Sequence, residues 1–339
     1  MTLRLGVVVG EHDPWRFFDD VYTDFKTHYA VTLFRTRRSS FPVLIERTNG
    51  FLFRHDLDAF MKQQDVVFFE WASGLLASAS RRPKHCPVVV RLHRYEMFQW
   101  VSRINWDYVD KIIFVSEGMR AKFVSQFPSH QHKTVIIPVG IPTEKFQIDR
   151  NGAAVGNIGT LCQISPRKRV YELVLAFYDL SRQRNDLRLH IGGSTDAAYG
   201  DYNDALKQIV EKLALQNKVI FYGDVSKPWE WYRNIDVFVS NSYSEGLQVA
   251  LMEAMASGCF CLSHHWDGAE ELLSQEYLFY TEADLQNKIL SYLQSSASEQ
   301  EQHRAMMRRI ACEKLDYRLI HNQIRQVIDQ VAKGNRPPS

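Results

Sequence analysis

IDVFVSNSYSEGLQVALMEAMASGCFCLSHHWDGAEE, residues 235–271, is the stretch whose reading decides the fold. Ile235 to Ser240 is a nearly unbroken apolar run ending in polar residues, and Cys259 to Ser263 is a second. Strands covered on both faces of a parallel sheet have this composition. Between them the spacing predicts a helix over Leu247–Ser257, stopped by Gly258, which makes a βαβ unit. The loop Ser244-Glu245-Gly246 then lies at the carboxyl end of a strand and the amino end of a helix. Ligands of open α/β sheets sit at such places, because unpaired N–H groups and the positive end of the helix dipole point outward there. Glu253 is the only formally charged residue of the helix, on which Leu247, Val249, Leu251, Met252 and Met255 leave no polar face. A carboxylate so placed needs a dedicated partner, either a structural one such as an arginine or backbone N–H groups, or a pair of ligand hydroxyls.

Working outward, the same pattern recurs on both sides. Towards the amino end, strands are expected at Leu3–Val9, Tyr29–Phe34, Asp65–Phe69, Pro87–Leu92, Asp110–Ser116 and Thr134–Ile137, with helices at Trp15–His28, Ala72–Ser80 and Glu117–Phe127, the last capped by Ser116. Pro138-Val139-Gly140-Ile141-Pro142 marks a boundary. The pattern restarts with Ala153–Leu161, a basic loop from Cys162 to Arg169, helix Val170–Arg182, strand Leu187–Ile191 ending in Gly192-Gly193, helix Asp201–Leu215 and strand Val219–Tyr222. A short helix Trp229–Asn234 leads into the opening stretch. Beyond it come a helix Asp284–Leu293, a polar break Ser295–Gln302, a long terminal helix Tyr317–Val331 and a disordered tail from Lys333. The expected fold class is α/β, with two Rossmann-like doubly wound domains facing across a cleft. The first spans 1–140, with a carboxy-terminal helix at about 316–332 packing back on it, and the second spans 141–315. Interdomain clefts of this kind favour small-molecule ligands.

Composition narrows the function. A chain of 339 residues with net charge +2 is not a wholesale nucleic-acid binder, although basic clusters stand at Arg35-Thr36-Arg37-Arg38 and Arg167-Lys168-Arg169. Five scattered cysteines with no CxxC pair suit a reduced, cytoplasmic setting. No apolar run approaches the roughly 18 residues of a membrane span, so any membrane contact is expected to be peripheral, through the arginines at 35, 37 and 38. Gly10 alone is not a dinucleotide fingerprint. His93 follows a buried strand on its carboxyl side, where an imidazole either packs or faces a ligand. Zinc at Cys259, Cys261, His264 and His265 is not expected, since the two cysteines lie in a buried strand, and Trp229, Trp231 and Tyr232 read as packing.

Glu245 and Glu253, with seven residues between them in SEGLQVALMEAMASG, the PRK loop at Pro166-Arg167-Lys168 and His93 together resemble the retaining glycosyltransferases of family 4, which have the two-domain GT-B fold. The resemblance covers nearly the whole chain and is strongest over Asp236–Glu271. It implies transfer of a hexose from a nucleotide-sugar donor, with UDP-glucose as the best choice, to a saccharide or lipid-linked acceptor in polysaccharide or glycolipid assembly, at the inner face of the membrane. Glu245, His93 and Lys168 would be the catalytic residues: Glu245 on hydroxyls of the donor sugar, His93 near the anomeric carbon, Lys168 on the diphosphate. Glu253 would accept both ribose hydroxyls, and the backbone of Gly246, Leu247, Gln248 and Val249 would face the sugar and diphosphate. Gly193, Asp224 and Val225 would lie near the base. The family's usual arginine is replaced by Gln163, so Arg167 or Arg169 is left to supply the missing charge, and Gln248 stands where the family has glycine. With no DxD in a suitable loop and no evident enzymic nucleophile, the resemblance implies a metal-independent, front-face reaction without cofactor. A nucleotide-sugar epimerase on the same fold and a non-catalytic nucleotide-sugar-binding subunit are the competing readings.

Overall fold

The structure is a computed structural model that describes residues 2–10, 15, 18–35, 55–148 and 152–334. Arg37 and Arg38, the loop Glu11–Pro14 and the tail 335–339 lie outside the described residues. The chain divides into two compact units, Met1–Val139 with Arg318–Ser339, and Gly140–Tyr317.

The first unit is built on six parallel strands, β1 (Arg4–Val8), β2 (Ala30–Leu33), β3 (Val66–Glu70), β4 (Val88–Leu92), β5 (Lys111–Phe114) and β6 (Thr134–Ile136), in the order β2-β1-β3-β4-β5-β6. Because side chains alternate across a strand, the apolar runs at β3 and β4 feed two cores at once. Val67, Phe69, Val88 and Val90 enter one face with Phe114 and Phe123. Val66, Phe68 and Val89 enter the other with Phe18 and Phe25. This second face is closed by Ile320, Ile324, Val327 and Ile328 of the terminal helix Tyr317–Gly334. Asp24 pairs with Arg325, and the Tyr29 hydroxyl donates to Asp329 at 3.0 Å, which fixes the helix on the sheet. The helix runs through Lys333 and Gly334, two positions into the expected tail.

The second unit repeats the plan with β7 (Asn157–Leu161), β8 (Arg188–Gly192), β9 (Val219–Gly223), β10 (Val237–Ser240), β11 (Phe260–His264) and β12 (Leu278–Phe279), all parallel, ordered β12-β11-β10-β7-β8-β9. The opening stretch is the expected βαβ unit, with β10 and β11 in register from Val237↔Phe260 to Ser240↔Ser263. Asp236 pins the sheet's amino edge by accepting from the N–H groups of Val155, Gly156 and Asn157 at 2.9–3.1 Å. One expectation fails here. The polar break Ser295–Gln302 opens an 18-residue helix, Ala297–Lys314. Its buried positions include Gln300 and Arg304, so apolar periodicity is weak, and the legible signal was the capping box Ser296–Glu299. Gln300 is satisfied inside, accepting from Ala154 N–H at 2.8 Å and donating to the carbonyl of Tyr292.

Candidate active site

At the carboxyl end of β10 the chain leaves the sheet and re-enters as the helix Val249–Ala256, with Gln248 as its N-cap. The helix starts two residues later than its apolar content suggests, so Leu247 belongs to the loop. Its first N–H groups have no intrahelical acceptor and face outward with the positive end of the dipole. The Gln248 side chain does not obstruct this end. It is buried, and its amide oxygen accepts from the Ser240 hydroxyl at the end of β10.

The PRK loop meets Glu245 directly. Pro166–Lys168 forms a single 3-10 turn, and Arg169 takes a left-handed conformation (φ 51°, ψ 41°) before helix Val170–Gln183. That turn sends consecutive cations in different directions. Lys168 pairs with one oxygen of Glu245, and Arg167 stands 2.9 Å from the other. Arg169 instead reaches Glu282 at 2.7 Å. The loops are also joined through backbone: Arg167 donates to the carbonyl of Ser244 at 2.6 Å, Tyr243 N–H to Arg167 at 3.3 Å, and the Asn241 amide to Arg169 at 2.8 Å. Burial opposes ionisation of Glu245, but the Lys168 ammonium and the Arg167 guanidinium outweigh it and hold the carboxyl below its ordinary value. An ionised carboxylate between two cations leaves a net positive group at the mouth of a helix amino end. Of the two arginines, Arg167 stands beside Lys168 on Glu245, while Arg169 is turned to Glu282.

Glu253 lies in a different environment. Among the described residues its partner is the Tyr232 hydroxyl, 3.2 Å from Oε2, and that hydroxyl also lies 2.8 Å from the carbonyl of Ala250. No cation is paired with it among the described residues. Burial pushes its carboxyl up to about 7, with the Tyr232 contact acting weakly the other way. The Tyr232 hydroxyl has one hydrogen for two acceptors, the Ala250 carbonyl and Glu253 Oε2, so Glu253 is only partly satisfied by it. Tyr232 packs as the sequence reading expects, fully buried against Trp231 and Phe238, and in addition meets Glu253; nothing in the local motif marks that second contact, because it lies 21 positions away in sequence.

The remaining candidates divide. Gly193 has φ 118°, and a Cβ there would fall 1.7 Å from the carbonyl oxygen of Cys162, so the loop after β7 and the loop after β8 pack backbone to backbone. Gly192 is similarly close to Val225, whose Cγ2 would lie 3.0 Å from an added Cβ. Gly193, Val225 and the start of the PRK loop thus share one corner. Asp224 is exposed, and Gln163 turns outward to Asp196 at 3.4 Å. Among the described residues neither touches the Glu245 cluster in any hydrogen bond or ion pair.

In the first unit, His93 caps the short helix Arg94–Gln99 that follows β4. Its Nε2 is 2.9 Å from Glu70 Oε1, and Glu70 also holds the fully buried Arg91 at 2.7 Å. Burial would raise the Glu70 carboxyl, but Arg91 and His93 together hold it below the usual carboxylate range. An ionised carboxylate only accepts, so Nε2 carries the hydrogen and other partners of the ring are left with Nδ1. The ring rests on Trp71, centroids 4.1 Å apart, and Glu96 accepts from the N–H groups of Ala72 and His93 at 3.1 and 3.3 Å. Sequence reasoning missed this buried set, because Glu70 and Arg91 look like ordinary strand-end residues until β3 and β4 bring them into register.

Comparison with known proteins follows the same division. The family described as Glycosyltransferase Family 4 matches residues 5–145, and Glycosyl transferases group 1 matches residues 155–313. Alpha-monoglucosyldiacylglycerol synthase of Streptococcus pneumoniae is 27% identical over 268 residues, 68% of this chain and 59% of that protein. Lipopolysaccharide 1,6-galactosyltransferase of Salmonella typhimurium is 28% identical over 162 residues, 46% of this chain and 43% of that protein. The chain thus spans less than two thirds of the length of these curated relatives. Anabaena HepE, solved with UDP and glucose, superposes with a TM-score of 0.77 at 17% identity, covering 97% of this chain and 100% of that one. Sucrose-phosphate synthase of Thermosynechococcus elongatus gives 0.77 at 16%, covering 98% and 100%. Matched along both units by these family profiles and end to end by these folds, the chain belongs to the GT-B glycosyltransferases, with a family 4 amino-terminal half.

Proposed function

We propose that the protein is a retaining hexosyltransferase that takes a sugar from a UDP-linked donor, with UDP-glucose the first choice, and passes it to a saccharide or lipid-linked acceptor in glycolipid or polysaccharide assembly. The observation that carries this reading is the pairing of Glu245 with Lys168 and Arg167 at the helix amino end, eight positions before a carboxyl, Glu253, that has no cation partner among the described residues. Departure of a nucleoside diphosphate builds negative charge on the leaving phosphate. Fixed cations and helix N–H groups stabilise that charge most where water is excluded. Lys168 and Arg167 take the diphosphate, Glu245 turns to hydroxyls of the donor sugar, and Glu253 accepts the ribose hydroxyls. Gly193 and Val225 border the base. Of the first unit's residues, His93, held by Glu70, is the one we assign to the donor sugar. Relatives named as a monoglucosyldiacylglycerol synthase and a galactosyltransferase, and a structural neighbour solved with UDP and glucose, support this choice of donor. With two cations on the leaving group, the reaction proceeds without a metal ion. We place the enzyme at the cytoplasmic face of a membrane, held peripherally; no helix of the described residues is long and apolar enough to cross one.

The test is transfer from UDP-glucose to a panel of saccharide and diacylglycerol acceptors, followed by NMR of the new anomeric centre. An α-linked product formed equally well in excess EDTA is expected. A β-linked product overturns retention, loss of activity in EDTA overturns metal independence, and conversion of the donor to an epimer without acceptor replaces the transferase reading by the epimerase.

A further inference from the structure

The helix Arg94–Gln99 and the 3-10 turn Val101–Arg103 that continues it present two different faces. Inward, Met97, Val101 and Ile104 of this segment fill the core on one side of the first sheet. Outward, Tyr95 and Phe98 are 56% and 65% exposed, one turn apart on the same stripe of the helix. Single exposed apolar residues are ordinary, but adjacent rings turned away from a filled core form a patch, and such patches mark interaction sites.

The surroundings of the patch are cationic. The Arg94 guanidinium lies over the Phe98 ring at 4.9 Å, and that of Arg103 over the Trp100 ring at 5.1 Å. Arg81, just beyond the helix Gly74–Ala79, reaches the same place and donates to the Arg103 carbonyl at 3.5 Å. The carboxylates of this part of the chain are engaged elsewhere. Glu96 is buried on the N–H groups of Ala72 and His93, Asp58 is on Arg82, Asp110 on Lys84 and Asp107 beside His130. Among the described residues neither Arg81 nor Arg103 is paired with a carboxylate. Aromatic rings framed by guanidinium groups suit the interface of an anionic membrane, where the rings enter the headgroup layer and the cations meet lipid phosphates. A second copy of the chain does not fit, because a two-fold contact through this patch would set Arg81, Arg94 and Arg103 against the same three residues.

We propose that this face docks the protein on an anionic membrane, with Tyr95 and Phe98 entering the headgroup layer and Arg81, Arg94 and Arg103 on lipid phosphates. It rests on the peripheral placement proposed above, but its test needs no sugar transfer. Flotation is run with vesicles of phosphatidylcholine mixed with phosphatidylglycerol, and with vesicles of phosphatidylcholine alone. The protein should float with the mixed vesicles, and less so in raised salt, which screens exposed charges. Phe98→Ala should weaken that binding about tenfold, the effect of withdrawing one ring from an apolar environment. The double variant Arg81→Ala, Arg103→Ala should weaken it about thirtyfold, since each surface cation contributes about fivefold on an anionic leaflet. UDP affinity should stay unchanged in both, which shows that the variants fold. The proposal is overturned if the parent does not float, if it floats equally well on phosphatidylcholine alone, or if either variant floats as the parent does. Vesicle binding by a protein that transfers no sugar would sink the enzyme reading and leave this surface standing.

Discussion

Lys168→Ala is expected to lower the rate of glucosyl transfer by about 10²–10³-fold, the usual effect of removing one preorganised group from developing negative charge. The structure makes Lys168 the most buried cation of the pair, 11% exposed against 30% for Arg167, so its charge is the less screened by water. Arg167→Ala should therefore cost less than Lys168→Ala. Removing one member of a buried pair also destabilises the fold, by about 3–5 kcal/mol where the remaining charge is left unpaired. Here Arg167 still faces Glu245, so a smaller loss is expected, and thermal melting separates the two effects. A folded Lys168→Ala protein that transfers sugar within threefold of the parent would show that the diphosphate leaves from somewhere else.

Glu253→Gln should act in opposite directions on stability and on binding. The folded-state value of about 7 against 4.5 for the free side chain means that between these values the folded protein holds a proton the unfolded chain has lost. Stability of the free protein then falls as pH rises through this window, by an amount on the order of 3 kcal/mol at completion. Glutamine cannot ionise, so at pH 8 the unliganded variant should be the more stable protein. It should also bind UDP about ten- to a hundredfold more weakly, because a charged acceptor of two ribose hydroxyls has been replaced by a neutral one. In the parent, UDP affinity should rise by about tenfold from pH 6 to pH 8 as Glu253 is made to ionise. The Gln variant should lack that part of the pH dependence, and calorimetric titration of both proteins reads it. Identical pH profiles would remove Glu253 from the nucleotide site.

How far the sequence carries is seen by comparing Glu245 with Tyr232. The βαβ unit around Glu245 was legible because fully buried parallel strands are apolar without alternation and because its loop has a fixed place at the sheet edge. The arrangement of Lys168 and Arg167 on one carboxylate was not, since it depends on the left-handed turn at Arg169. Three consecutive basic residues look equivalent until that turn separates them. Tyr232 reaches Glu253 from the 3-10 turn before β10, and Glu70 reaches Arg91 across paired strands, and no local pattern announces such contacts. The helix Ala297–Lys314 was lost for a different reason: two of its four buried positions, Gln300 and Arg304, are polar, so the burial that stabilises it leaves little periodic trace.

The central claim is that one loop and one helix of the second unit divide a nucleotide between them. Its most direct test is the electron density of a crystal soaked with UDP. The account predicts the diphosphate within hydrogen-bonding distance of Lys168 and Arg167 at the amino end of the helix Val249–Ala256, and both ribose hydroxyls on Glu253. A nucleotide bound with its ribose away from Glu253, or with its phosphates out of reach of Lys168, would contradict it.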